Sequence, residues 1–193
     1  MERVCVFCGA SSGKRAAYAE AARRFGAAVA ARGLGVVYGG GKVGLMGALA
    51  EGALGAGGEV YGVIPQELVD RELAHEGLTE LHVVGSLHER KALMAELADG
   101  FIALPGGWGT WEEFFEVLTW GQLGLHEKPC GLLNVQGYFT PMLAAVDHSI
   151  AEGFVRMENR SMVIEAASAG ALIDAMRDYR PVRVTKWITE RAT

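Results

Sequence analysis

The chain has 193 residues, half of them hydrophobic and 21% charged, with a net charge of −5; that suffices for one domain with a substantial core and calls for no second. An acidic balance without a basic stripe argues against nucleic acid as a partner, and no apolar run reaches the length of a membrane span. The first seven residues lack the long apolar stretch of a signal peptide, and Cys5, Cys8 and Cys130 are an odd number, so a cytoplasmic protein with reduced thiols is expected.

Short β-rich apolar runs at 4–7, 35–38, 60–64, 101–104 and 131–135 alternate with helix-length stretches at 15–32, 44–56, 87–98, 111–124, 139–152 and 168–178. Strands that are apolar on both faces, alternating with helices, predict an α/β fold: a single Rossmann-like doubly wound parallel sheet with helices on both faces. It should occupy residues 1–180, followed by a polar C-terminal tail at 181–193. Ligands of such sheets bind at the carboxyl ends of the strands, so those loops are where chemistry is to be sought. The 27 glycines cluster at 39–47, 52–58 and 106–109, marking backbone that turns sharply or lets a ligand approach.

In chain order, Cys5 and Cys8 form C-x-x-C, but without a second ligand pair zinc is not expected, and the five histidines show no metal spacing. Cys8 and Ser11–Ser12 follow the first strand and could line a pocket floor or serve close packing. The loop from Tyr38 to Gly47 carries G-x-G-x-x-G at Gly39, Gly41 and Gly44. Its amides beside a helix N-terminus suit a phosphate or ribose, with Gly40 and Gly41 as contacts. It follows the second strand rather than the first, and the acid twenty residues on would be Glu59, at the wrong end of its strand. NAD is therefore disfavoured, and Val43 after Lys42 fails the Walker pattern. The charged loop 64–72 could close over a ligand or be plain surface. Ser86-x-x-Glu89 is a capping box, which places Arg90 and Lys91 in the N-terminal half of a helix, where positive charge opposes the dipole unless an anion compensates.

The segment from Leu104 to Glu113 is again strand, glycine turn and helix. Turn amides and the Thr110 hydroxyl would form an anion nest, with a carboxylate one turn in at Glu113. Thr110-x-x-Glu113 also fits a capping box, in which Glu113 does no chemistry, and Glu112 could be an ordinary first-turn acid. The helix expected over 111–124 is apolar around most of its circumference, which suggests a subunit interface or a central helix covered by the tail.

Taken together, these segments resemble the LONELY GUY family of cytokinin riboside 5′-monophosphate phosphoribohydrolases, members of which are often labelled lysine decarboxylases. The resemblance runs from about Val4 to Tyr179. It rests on Val6-Phe7-Cys8-Gly9, Tyr38-Gly39-Gly40-Gly41, Gly44-Leu45-Met46-Gly47, Gly62-Val63-Ile64-Pro65, His88-x-Arg90-Lys91 and Thr119-Trp120-x-Gln122. Its signature is Pro105-Gly106-Gly107-x-Gly109-Thr110-x-x-Glu113. The resemblance implies that Arg90 and Glu113 are the catalytic pair. It further implies that Glu72, Lys91, Gly106, Gly107, Trp108, Gly109, Thr110, Trp111, Glu112 and Thr119 contact the nucleotide. The implied enzyme is a homodimer without metal or cofactor. It would hydrolyse AMP or N6-substituted AMP to the free base and ribose 5-phosphate. Trp108 and Trp111 stand where Tyr and Leu are commoner, and Trp111 is expected to affect the width of the pocket. Two other classes compete: a non-catalytic nucleotide-binding sensor, which would need neither Arg90 nor Glu113, and an NAD-dependent oxidoreductase, weakened by the position of Glu59. Lysine decarboxylation is not expected, since none of the five lysines sits in a pyridoxal phosphate constellation.

Overall fold

The computed structural model describes residues 1–71 and 73–182. Seven strands, β1 (Arg3–Phe7), β2 (Gly35–Tyr38), β3 (Val60–Pro65), β4 (Glu80–Val84), β5 (Phe101–Ala103), β6 (Cys130–Leu133) and β7 (Val163–Ala166), form one sheet in the order β4-β3-β2-β1-β5-β6-β7. Every neighbouring pair is parallel. The intervening helices are α1 (Ala16–Ala30), α2 (Gly44–Gly55), α3 (Gln66–Val69), α4 (Leu87–Leu97), α5 (Trp108–Gln122), α6 (Thr140–Ala151) and α7 (Ala169–Arg177). None of the described helices is long and apolar enough to cross a membrane.

Alternation along β1 divides the core. Val4 and Val6 join Phe25, Val29, Leu49 and Leu172 of α1, α2 and α7 on one face. Cys5 and Phe7 join Met94, Phe114 and Leu143 of α4, α5 and α6 on the other. Both faces are thus covered, as the unbroken apolar runs require. Not every glycine serves a ligand. A Cβ on Gly26 would lie 2.2 Å from the Leu49 carbonyl and one on Gly52 2.0 Å from that of Arg23, so these two let α1 and α2 pack backbone to backbone.

Several local expectations need correction. The apolar pattern does not mark the edge strands β4 and β7, because at a sheet edge polar Glu80, His82 and Glu165 interrupt the run. The charged loop also contains the short helix α3, too short to show a helical apolar period. The helix expected at 111–124 begins three residues earlier, with Gly107 as its N-cap and no side-chain cap. Of the tail expected at 181–193, only Pro181 and Val182 are among the described residues.

The strand order reverses at β1. After β4 the chain returns to place β5 on the other side of β1, in register Val6 with Ile102 and Phe7 with Ala103. Loops leaving the carboxyl ends of β1 and β5 diverge there, and the crevice between them is where open α/β sheets take their ligands.

Candidate active site

A cavity of about 380 Å³ opens at this reversal point, lined among others by Cys8, Gly9, Gly41, Arg90, Thr110 and Glu113. That volume suits a small ligand. The amide of Gly9 donates to the Pro105 carbonyl at 3.0 Å, tying the two loops together. The Tyr138 hydroxyl donates to the Gly106 carbonyl and so fixes the glycine turn from outside. A Cβ on Gly106 would meet Oγ1 of Thr110 at 2.1 Å, whereas at Gly107 and Gly109 it would meet nothing within 4 Å. Packing therefore explains Gly106 but not its neighbours. Gly107 and Gly109 both line the cavity, and bare backbone there leaves the first-turn amides of α5 open to an anion.

Arg90 crosses from α4 to the cavity floor. Its Nε donates to the Val63 carbonyl at 3.0 Å and Nη2 to that of Gly39 at 3.1 Å. A Cβ on residue 39 would lie 1.9 Å from Nη2, so Gly39 is the space the guanidinium occupies. Nη1 is 3.6 Å from Oε1 of Glu113, and the two side chains are only 12% and 13% exposed. Burial, aided by the charges of Glu112 and Glu116, pushes the Glu113 carboxyl up to about 7 against the pull of Arg90 and Lys91. With Gly107 as the cap, Thr110 lies inside the helix and is buried, so the capping-box reading of Glu113 does not hold. Ser86, by contrast, caps α4: its Oγ accepts from the Glu89 amide at 3.1 Å, while Glu89 reaches back to the Gly85 amide at 2.8 Å.

Lys91, adjacent to Arg90, pairs with two carboxylates of α5. Nζ contacts Oε1 of Glu112 and lies 3.0 Å from Oε2 of Glu116. Burial pulls the ammonium down, but these contacts outweigh it and hold its pKa above the ordinary value. Glu116 was missed by sequence reasoning; its signal was the i, i+4 spacing from Glu112, which puts both on one helix face.

Other sequence-predicted residues are distributed differently. Gly41 lines the cavity, while Gly40, with φ 73°, packs on Ile64 and Leu81. In the same loop the amides of Lys42 and Leu45 are taken by the carbonyls of Leu73 and Gly9. Leu68 of the charged loop and Leu73 just after it face the cavity; Glu72 between them is outside the described residues. Trp108 is 86% exposed and stacks edge-on against Trp111 at 6.0 Å. Trp111 does not line this cavity. Together with Phe115, Leu118 and Thr119 it lines a separate apolar groove of about 500 Å³ between α5 and α6. Cys8 lines the cavity, but burial and then Glu113 push its thiol far up; it forms a wall rather than a nucleophile. All three cysteines are free and buried, and no cluster of metal-ligating side chains occurs among the described residues.

A family model described as possible lysine decarboxylase matches residues 46–176. The chain is 55% identical over 175 residues to a cytokinin riboside 5′-monophosphate phosphoribohydrolase of Rhodococcoides fascians, covering 90% of this chain and 88% of that protein. It is 46% identical over 180 residues to one of Arabidopsis thaliana, 93% and 84% of the two chains, and 51% identical to a probable one of Oryza sativa subsp. japonica, 93% and 79%. Among solved structures, the molybdenum cofactor carrier protein of Chlamydomonas reinhardtii superposes with a TM-score of 0.69 at 22% identity, over 92% of this chain and 96% of that one. The molybdenum cofactor binding protein of Rippkaea orientalis does so with 0.70 at 21%, over 92% and 97%. At those identities the likeness is one of fold.

Proposed function

Since this chain belongs to the family of cytokinin riboside 5′-monophosphate phosphoribohydrolases, we propose that it hydrolyses the N-glycosidic bond of adenine-type nucleoside 5′-monophosphates, releasing the free base and ribose 5-phosphate. The observation that carries this reading is the Glu113 carboxyl, buried beside Arg90 beneath the open glycine turn. Leaving-group departure builds positive charge at C1′, as in glycoside hydrolysis. The ionised carboxylate of Glu113 faces that charge and takes the proton of the attacking water as the new C1′–O bond forms; the bonding pair leaves with the base, which is protonated in turn. A carboxyl titrating near 7 is matched to this exchange at neutral pH. Arg90, pinned by two carbonyls, orients Glu113. The amides at the start of α5 hold the 5′-phosphate, whose binding energy fixes the sugar for attack, and Glu112 holds ribose hydroxyls.

The enzyme acts as a homodimer closed across the α5–α6 groove. Phe115, which lines the groove, is 38% exposed. The side-chain atoms of Asn159 and Nε1 of Trp111 are buried without partners, as expected of polar groups that a second copy satisfies. Thr119 lies on this groove rather than in the cavity, so its contact with nucleotide is made across the dimer. Three buried, unoxidised thiols fit the cytoplasm.

Incubation with AMP, isopentenyladenosine monophosphate and the matching nucleosides tests the activity. Base and ribose 5-phosphate should appear from the monophosphates and not from the nucleosides, and the ratio of the two rates identifies the preferred base. Nucleotide binding without release of base would make the protein a sensor instead.

A further inference from the structure

Lys91 is bracketed by two carboxylates one helical turn apart, and the two differ sharply in their access to water. The Glu112 side chain is 56% exposed and that of Glu116 26%, while Lys91 itself is 12% exposed. Oε2 of Glu116, the atom facing Lys91, is closed to solvent. Withdrawing the ammonium from Glu116 would leave a carboxylate oxygen closed to water without its counter-charge, which is unfavourable. Withdrawing it from Glu112 costs little, because water replaces the contact. Charge balance points the same way. Arg90 and Lys91 face three carboxylates, Glu112, Glu113 and Glu116, so an incoming phosphate meets a cluster already in negative excess unless one carboxylate gives way. The exposed one can.

We propose that Glu116 is the positioning residue that holds Lys91 in place throughout, and that Glu112 is the exchangeable partner that leaves Lys91 for the ligand when nucleotide binds. This rests on the reading of the cavity as a nucleoside monophosphate site. The two acids on one face of α5 thus have separate duties: Glu116 acts only through Lys91, and Glu112 acts on the ligand directly.

The test is a pair of double-mutant cycles on the full chain, read by equilibrium titration with AMP in a Glu113→Gln background and by kcat and KM in the native one. Glu116→Gln should weaken AMP binding by about tenfold and raise KM with little change in kcat. In a Lys91→Met background the same substitution should have no further effect. Glu112→Gln should weaken binding in both backgrounds. Glu116→Asp, which keeps the charge, should recover part of the loss and carries the same test should Glu116→Gln not fold. A Glu116→Gln effect that persists undiminished without Lys91, or no effect at all, overturns the proposal. Absence of turnover with every monophosphate would defeat the enzymatic reading alone, since titration still reports the Lys91–Glu116 coupling.

Discussion

Helix α5 has two working faces, and they obey opposite rules. Toward the reversal point of the sheet it presents Glu113, a carboxyl kept mostly from water and matched to an equally buried guanidinium. Toward α6 it presents Trp111, Phe115 and Leu118, apolar surface left open along a groove. On the first face the fold tolerates an electrostatic cost, since desolvation holds the carboxyl near 7; such costs persist where chemistry needs them. On the second it forgoes hydrophobic burial that a second copy of the chain would recover. One helix therefore carries both the buried carboxyl and the open apolar groove, with Glu113 and Phe115 only two residues apart.

The sharpest way to break this contrast is to remove charge from the first face. Glu113→Gln should lower kcat by about 10³-fold while leaving AMP binding intact; near-full activity would end the catalytic assignment. Arg90→Met should cost about 10²-fold in rate and about 2 kcal/mol in stability, because the carbonyls of Gly39 and Val63 lose their donor. Steady-state kinetics and denaturant titration separate the two losses.

The same Glu113→Gln variant should be more stable than the native chain, but only at higher pH. A carboxyl whose native pKa is raised favours the fold below its ordinary 4.5 and loses that advantage as pH rises through about 7. Glutamine mimics the neutral form, so the gain should reach up to about 3 kcal/mol above pH 7 and vanish near pH 4. Thermal melts at the two pH values check the sign. On the second face, Phe115→Asp should yield a monomer in sedimentation, with a melting temperature that is lower and no longer depends on protein concentration, since the partner's contribution to stability is lost. A control away from both faces, Ser86→Ala, should cost about 1 kcal/mol through loss of the α4 cap without altering turnover.

Much of the fold is legible in the chain because parallel strands covered on both faces need unbroken apolar runs, and five of the seven satisfy that. The edge strands escaped because one side of each meets no neighbour, which relaxes the pattern. In the candidate site, the Pro105–Glu113 motif and the Arg90–Lys91 pair were visible, as was the Ser86 cap, a matter of neighbours three residues apart. Whether Glu113 capped its helix or faced a cavity was not, because both readings share one local spacing and differ only in where the helix starts.

Local sequence, then, determined the alternation of elements, the glycine turns and the identity of the charged groups. Tertiary structure alone decided that Arg90 reaches the space left by Gly39, and that Lys91 meets both Glu112 and Glu116, the first largely open to water and the second not. It also turned Trp111 and Thr119 away from the cavity. Those outcomes depend on distances between segments tens of residues apart, and on how much water each charge retains, which no short window of sequence encodes.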